Sequence, residues 1–380
     1  MYITSVQLHN IISRIRGESR TLGLDIGHRL LKLAVVEHKK GSRSTLIALE
    51  QESIPEGVIV DNEVKNPAVF IDSVQRMLMR ALPGGADGDF VISVNWTSGI
   101  LCDRILVKPQ PVKAAKIPEN ELILQAAMGR SPFDDSGNVL DYAVMERREE
   151  GIEAMIVAAK KDVLASWVNL FQALSIDLAA IDVDVFALSN IYSLSVEQQQ
   201  HDDYGAGYGG DDDDPALLLN LGYSQSYLAF LRKGTFSTAR SITGCSVQSF
   251  QEQLAGSLEI STEQAGDLLT GTNNEEIDME DPKVKSAMEF VFDEISMKID
   301  TAIRYFSSSD NYKRPSKMVV VGGADIKGLT QFLSDRFSMD ILLLDPFKTV
   351  EVDPVRFRGT DLNAVSGIYP VAMGLALRRF

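Results

Sequence analysis

Two stretches of the chain repeat one run of apolar and polar positions. Leu22 to Lys32 reads LGLDIGHRLLK, and Leu217 to Tyr227 reads LLLNLGYSQSY. Each is an apolar run broken by one polar residue, Asp25 or Asn220, and followed by a glycine. Apolar runs bounded by turn residues predict buried strands. From Thr21 to Ile54 the pattern predicts strand, turn, strand, strand, in GLDIG, LLKLAVVEH and STLIALEQESI. Val69, Ile71, Val74 and Leu78 predict a helix over 69–82, and DFVISVNW a further strand. Prolines 109, 111 and 118 keep the next segment extended before a helix over 119–128. Two strands follow, in SPFDDSGNVLDYAVMER and IEAMIVAAKK, then a helix over 162–174 and a strand running into a helix in AAIDVDVFALSNIYSL.

After Pro215 the opening pattern restarts as three strands, LLLNLG, SYLAFLRKG and TFSTARSI. Helices are predicted over 246–271 and 286–307, with the polar loop NNEEIDMEDP between them. KMVVVGGADIKGLTQFLSDRF reads as strand, double-glycine turn and helix, MDILLLDPF as a short strand, and SGIYPVAMGLALRR as a helix. The sum is a duplicated α/β architecture with a hinge between the halves. Between them, Glu197 to Asp214 is polar, glycine-rich and acidic and reads as a linker. His201, Asp202 and Asp203 belong to that linker and are not read as a metal site. Near the start, Leu8, Ile11, Ile12 and Ile15 share one helical face, the pattern of a short docked helix or of one lying on a membrane or partner.

Composition narrows the classes. A chain of 380 residues exceeds the usual size of a single core, so two domains are expected. A net charge of −16 disfavours non-specific binding of nucleic acid. No apolar run approaches the ~20 residues of a membrane span, and no signal peptide opens the chain. Cys102 and Cys245 stand alone without a CxxC, which argues against a disulfide scaffold or structural zinc and for a reducing compartment.

The glycine turns carry the candidate chemistry. A glycine turn lets backbone N–H groups converge on phosphate oxygens. An acid beside it serves phosphate when Mg²⁺, often through its waters, lies between them, which makes Asp25 the candidate metal residue. Lys32, seven residues on, returns towards the same place. Two such turns, one per half, would clamp a polyphosphate.

In order, GLDIG, LGYSQSYLAFLRKG, VVVGGADIKGL and GLALR resemble the actin-like ATPase fold of actin, sugar kinases, DnaK-type chaperones and FtsA. SPFDDSGNVLDYAV, IVAAKKDVLASWVNLFQAL, AIDVDVFALSNIY and DPFKTVEVDP narrow the resemblance to the PilM family of type IV pilus assembly. The resemblance implies an actin-like, ribonuclease H-like two-domain α/β fold. It implies domain I at 21–196 with an FtsA/PilM-type insert at about 90–150, and domain II at 215–380 with a smaller subdomain at about 246–314. It implies ATP with Mg²⁺, bound by Asp25, Gly27 and Lys32 at the first phosphate turn and by Asn220, Gly222, Tyr223, Ser224 and Gln225 at the second. Gly322, Gly323 and Ala324 would meet the adenosine, and Asp184 stands where hydrolytic relatives position water.

The sequence departs from that pattern. His28 and Arg29 replace small hydroxyl residues, Asn220 replaces an acid, and Ala265-Gly266 replaces an Ala-Glu pair. Hydrolysis is therefore expected to be weak, with ATP a structural ligand or slow switch. The implied role is a cytoplasmic scaffold at the inner membrane, binding the N-terminal tail of a PilN-like membrane protein and contacting pilus motor ATPases, with homo-oligomers an open possibility. Trp96, Phe133 and Tyr142 are the expected anchors of the tail in the insert. The alternatives are an active ATPase or kinase, or a relative of FtsA or a secretion platform. FtsA would end in an amphipathic membrane tail, whereas this sequence stops at GLALRRF.

Overall fold

A computed structural model describes residues 18–85, 87–97, 99–109, 117–201, 215–271, 277–278, 280–308, 313–322 and 326–380. The amphipathic stretch at Leu8 to Ile15, Gly323, Ala324 and most of the acidic segment lie outside these residues. The first half opens with strands β1 (Glu18–Ile26), β2 (Leu30–Lys39) and β3 (Thr45–Ser53), and a small hairpin of β4 (Ile59–Val60) and β5 (Glu63–Val64). Helix α1 (Pro67–Ala81) follows, with Asn66 accepting from the Val69 N–H at its start. Next come β6 (Asp89–Val94), β7 (Leu101–Val107), α2 (Glu119–Met128), β8 (Asn138–Arg148), β9 (Gly151–Lys160), α3 (Lys161–Ala173), β10 (Leu178–Val183) and α4 (Asp184–His201). Helix α4 runs five residues into the stretch read as linker, because glutamines tolerate a helix well.

The second half holds β11 (Ala216–Leu221), β12 (Ser226–Arg232), β13 (Thr235–Ser241), α5 (Val247–Leu258), α6 (Thr262–Thr270), α7 (Pro282–Ser307), β14 (Lys317–Gly322), α8 (Leu329–Phe337) and β15 (Asp340–Leu343). After it come β16 (Glu351–Val352), α9 (Leu362–Val365) and α10 (Pro370–Ala376). The large sheets run β10-β6-β1-β2-β3-β16 and β13-β12-β11-β14-β15. In each, three antiparallel strands lead, and a later strand lies parallel to the first on its other side. Leaving β16 aside, the two orders are the same order reversed, so the duplication seen in the sequence is a duplication of topology.

Two boundaries differ from those expected. DFVISV is β6 of the large sheet, parallel to both β1 and β10, whereas β9 is the middle strand of the separate sheet β7-β9-β8. The insert is thus about 101–160 rather than 90–150. An apolar run looks the same in either sheet, so periodicity could not assign it. Second, 345–380 does not stay with domain II. Strand β16 pairs with β3, and α10 packs between β1 and α4. A Cβ at Gly23 would lie 2.3 Å from the Ala372 carbonyl oxygen, and one at Gly374 would lie 2.1 Å from that of Ala187. Glycine is needed at both for the helix to approach so closely.

The first half's core takes in α3 as well, through Phe171, whose ring sits 6.1 Å from Phe70 and 5.5 Å from Phe90. The insert has its own small core, including Ile105, Ile123, Phe133 and Ile156. Among the described residues, no helix is long and apolar enough to cross a membrane.

Candidate functional site

Gly27 turns β1 into β2. Its N–H donates to the Leu30 carbonyl at 3.2 Å, and a Cβ there would lie 2.6 Å from that oxygen. The register sets Asp25 opposite Lys32, which puts both side chains on one face. Lys32 Nζ donates to Asp25 Oδ2 at 2.5 Å, with side-chain exposures of only 13 % and 11 %. Asp25 Oδ1 accepts from Ser93 Oγ at 3.3 Å, and Ser93 Oγ takes the Ile26 N–H at 3.4 Å.

The second turn is built alike. A Cβ at Gly222 would lie 2.2 Å from the Gln225 carbonyl oxygen, and the Gly222 N–H donates to Ser226 Oγ at 3.1 Å. The carbonyls of Gly222 and Tyr223 accept from the Val247 and Gln248 N–H groups, which docks the turn on the start of α5. Gly322, at φ +119°, closes β14 against Leu221, where a Cβ would lie 2.2 Å from the carbonyl oxygen.

These turns face one another across a cleft between the halves. Asp25, Gly27, His28, Arg29, Lys32 and Asp184 line one side, and Asn220, Gly222, Tyr223, Gln225 and Gly322 the other. Ser224, a candidate by resemblance, is not among its lining residues, and its buried hydroxyl has no hydrogen-bond partner among the described residues. Gly323 and Ala324 lie outside the described residues. Ala265 is buried in the second core, and Gly266 abuts Gln251.

Several contacts span the cleft. The Arg29 guanidinium lies over the Tyr223 ring at 5.4 Å. Gln225 donates to Asp61 at 2.9 Å and accepts from Thr97, and Gln248 donates to Glu56 at 3.3 Å. No sequence pattern marked Ser93, which lines the cleft, or Asp61 and Thr97, which bond Gln225 from the first half; strand register and loop path bring them there.

Asp184 begins α4 and is buried. Its Oδ1 accepts from the Trp96 and Val185 N–H groups, both at 2.8 Å. Burial pushes its carboxyl up to about 7, the Trp96 N–H opposing and the Asp25 charge adding to the shift. The Tyr227 hydroxyl is buried beside Asp184 and Asn220, yet among the described residues it has no well-formed hydrogen bond. Burial likewise lowers the pKa of His28, against the pull of Asp61 and Asp25.

A second cleft, of about 420 Å³, opens between the insert and the first half. Tyr142 and Met145 of β8, Met155 and Val157 of β9, Phe186 of α4 and Phe236 of β13 give it apolar walls. Two of its borders are sheet edges: β8 ends the insert sheet and β10 ends the large sheet. At its base Arg378 Nη1 lies 2.7 Å from Asp182 Oδ2, an aspartate whose pKa burial raises and Arg378 lowers in turn. Arg104 of β7 ties the insert to the second half, donating to the Phe236 carbonyl and pairing with Glu153 at 3.0 Å.

Of the three anchors expected here, only Tyr142 lines this cleft. Phe133 is 5 % exposed in the insert's own core. Trp96 follows β6 of the large sheet and packs edge-on against Tyr227 at 5.8 Å, under the first cleft. Size and aromaticity nominated all three, but they do not say which way a side chain points.

The fold is the actin-like α/β fold. It superposes on a PilM-PilN type IV pilus biogenesis complex with a TM-score of 0.74 at 24 % identity, covering 94 % of this chain and 98 % of the other. The ethanolamine utilization protein EutJ from Carboxydothermus hydrogenoformans gives 0.52 at 12 % identity, over 94 % and 89 %. A nucleotide-free diol dehydratase-reactivating factor gives 0.52 at 10 % identity, over 94 % and 99 %. No curated protein sequence matches the chain. Residues 23–380 match the family model of the type IV pilus assembly protein PilM, and the chain belongs to that family.

Proposed function

We propose that this chain is a cytoplasmic scaffold of type IV pilus assembly, held at the inner membrane by the N-terminal tail of a PilN-like protein. The tail binds in the cleft between the insert and the first half. Nucleotide binds in the cleft between the halves as a structural ligand or slow switch, and the scaffold links the membrane platform to the pilus motors.

The observation that carries the reading is the pairing of apolar walls with two strand edges, β8 and β10, that pair with no further strand among the described residues, along one cleft. An extended peptide gains affinity from main-chain hydrogen bonds to such an edge and specificity from side chains seated alternately in the cleft. The superposed relative is a complex of PilM with PilN, which agrees with this reading. The glycine turns at Gly27, Gly222 and Gly322, each with space only for a hydrogen, suit close approach of phosphates to backbone.

The test is calorimetric titration of the full chain with a synthetic peptide of the partner's cytoplasmic tail. Residues 21–195 alone would lack α10, a wall of that half's core. We expect saturable binding, weakened about tenfold or more by Tyr142→Ala or Phe186→Ala. Absence of binding, or binding insensitive to both changes, overturns the reading.

A further inference from the structure

A magnesium ion against phosphates is held by hard anionic oxygens, usually through its waters. Two carboxylates, Asp25 and Asp184, are among the described residues lining the cleft between the halves, with the amide of Asn220 at the second half's strand end. Asp25 is the one facing acid at the first turn, and both its oxygens are engaged, Oδ2 by Lys32 and Oδ1 by Ser93. Its charge is balanced within the protein by the lysine it pairs with. Asn220 has no charge to offer. Asp184 turns Oδ1 into two backbone N–H groups, at the end of the cleft under Trp96. The donor set does not fit a magnesium site.

Cations stand there instead. Lys32 lies between the acid and the first glycine turn, and its Nζ would come within 3.4 Å of a Cβ on Gly27. An ammonium has three protons, so it can serve Asp25 and a phosphate oxygen together. Arg29 reaches from the first turn to the Tyr223 ring of the second, so its guanidinium lies between the two glycine turns. That planar fork matches phosphate oxygens two at a time. Both residues line the cleft beside the first glycine turn, where their charge can neutralise a chain of phosphates.

Resting on the reading of this cleft as a nucleotide site, we propose that it takes the polyphosphate without a divalent ion, with Arg29 and Lys32 supplying the charge. The pocket then has no preference for the magnesium complex over the free nucleotide, and Asn220 is the residue that sets this.

The test is calorimetric titration of the full chain with ATP, once with excess Mg²⁺ and once with EDTA. Expected are dissociation constants that agree within about threefold, or tighter binding in EDTA. Arg29→Ala weakens both by about tenfold or more, the loss expected for a charge-assisted phosphate contact. Asn220→Asp, checked for native circular dichroism, regains metal dependence, binding about tenfold or more tighter with Mg²⁺ than with EDTA. Wild-type binding that is about tenfold or more tighter with Mg²⁺ overturns the inference alone, and needs no variant. No binding in either buffer overturns the nucleotide reading and this inference with it.

Discussion

Asp184 shows how one buried carboxyl ties the stability of the cleft to pH. Its folded-state pKa stands at about 7, against 3.8 for the free side chain, because burial penalises the charge. A raised carboxyl pKa means that the folded chain holds a proton the unfolded chain has released. Its contribution is fully present below pH 3.8 and is lost as pH rises to about 7. Asp184→Asn keeps the oxygen that accepts from Trp96 and Val185 and removes the titration. The variant should be more stable than the wild type at pH 8, by something on the order of 2–4 kcal/mol, with the gap closing towards pH 5. Urea unfolding at the two pH values checks it. A gap that is equal at both, or absent at pH 8, would mean that the carboxyl is solvated.

At the scale of elements, α3 is the joint between insert and body. Phe171, fully buried, meets Phe70 of α1 and Phe90 of β6. Phe171→Ala should cost about 3–5 kcal/mol of unfolding free energy, the usual range for a core phenylalanine. A loss under about 1 kcal/mol would mean that α3 docks only loosely. The strand-turn-strand units at 21–54 and 216–241 were legible because glycine punctuation and apolar runs are local signals. Asp25 with Lys32 was legible for the same reason, since their spacing is a hairpin register. The fate of DFVISV was not, since a buried strand carries no mark of which sheet it joins. Nor was the Asp182–Arg378 pair, whose members are brought together only when 345–380 returns to the first half. Trp96 fits both patterns: its size was visible, but its place beneath the first cleft depends on where β6 ends.

For the molecule as a whole, the two halves share one apolar core, in which Leu218, Leu231 and Phe236 of the second half join Val185 and Leu188 of α4, and they meet again across the cleft, Arg29 with Tyr223 and Gln225 with Asp61. With Asn220 uncharged and Asp184 turned into backbone N–H groups, steady-state phosphate release from ATP should stay near background. Turnover near the ~10 s⁻¹ of a typical enzyme would contradict the scaffold reading.

The return of β16 and α10 to the first half also sets the order in which the molecule can be born. Domains usually fold as units while the chain is made, the earlier one first. Here the first half emerges with a missing wall, because Gly23 and Ala187 face the place that α10 will take. After α4 leaves the ribosome, about 170 residues must follow before that wall exists. At ~5–20 residues per second the wait is roughly 10–35 s, with the apolar face of β1 uncovered throughout. The second sheet has all its strands by β15, but one of its faces, with Leu218, Leu231 and Val319, is buried in the same core as α4 and α10, so that shared core can close only once the last helix has been made.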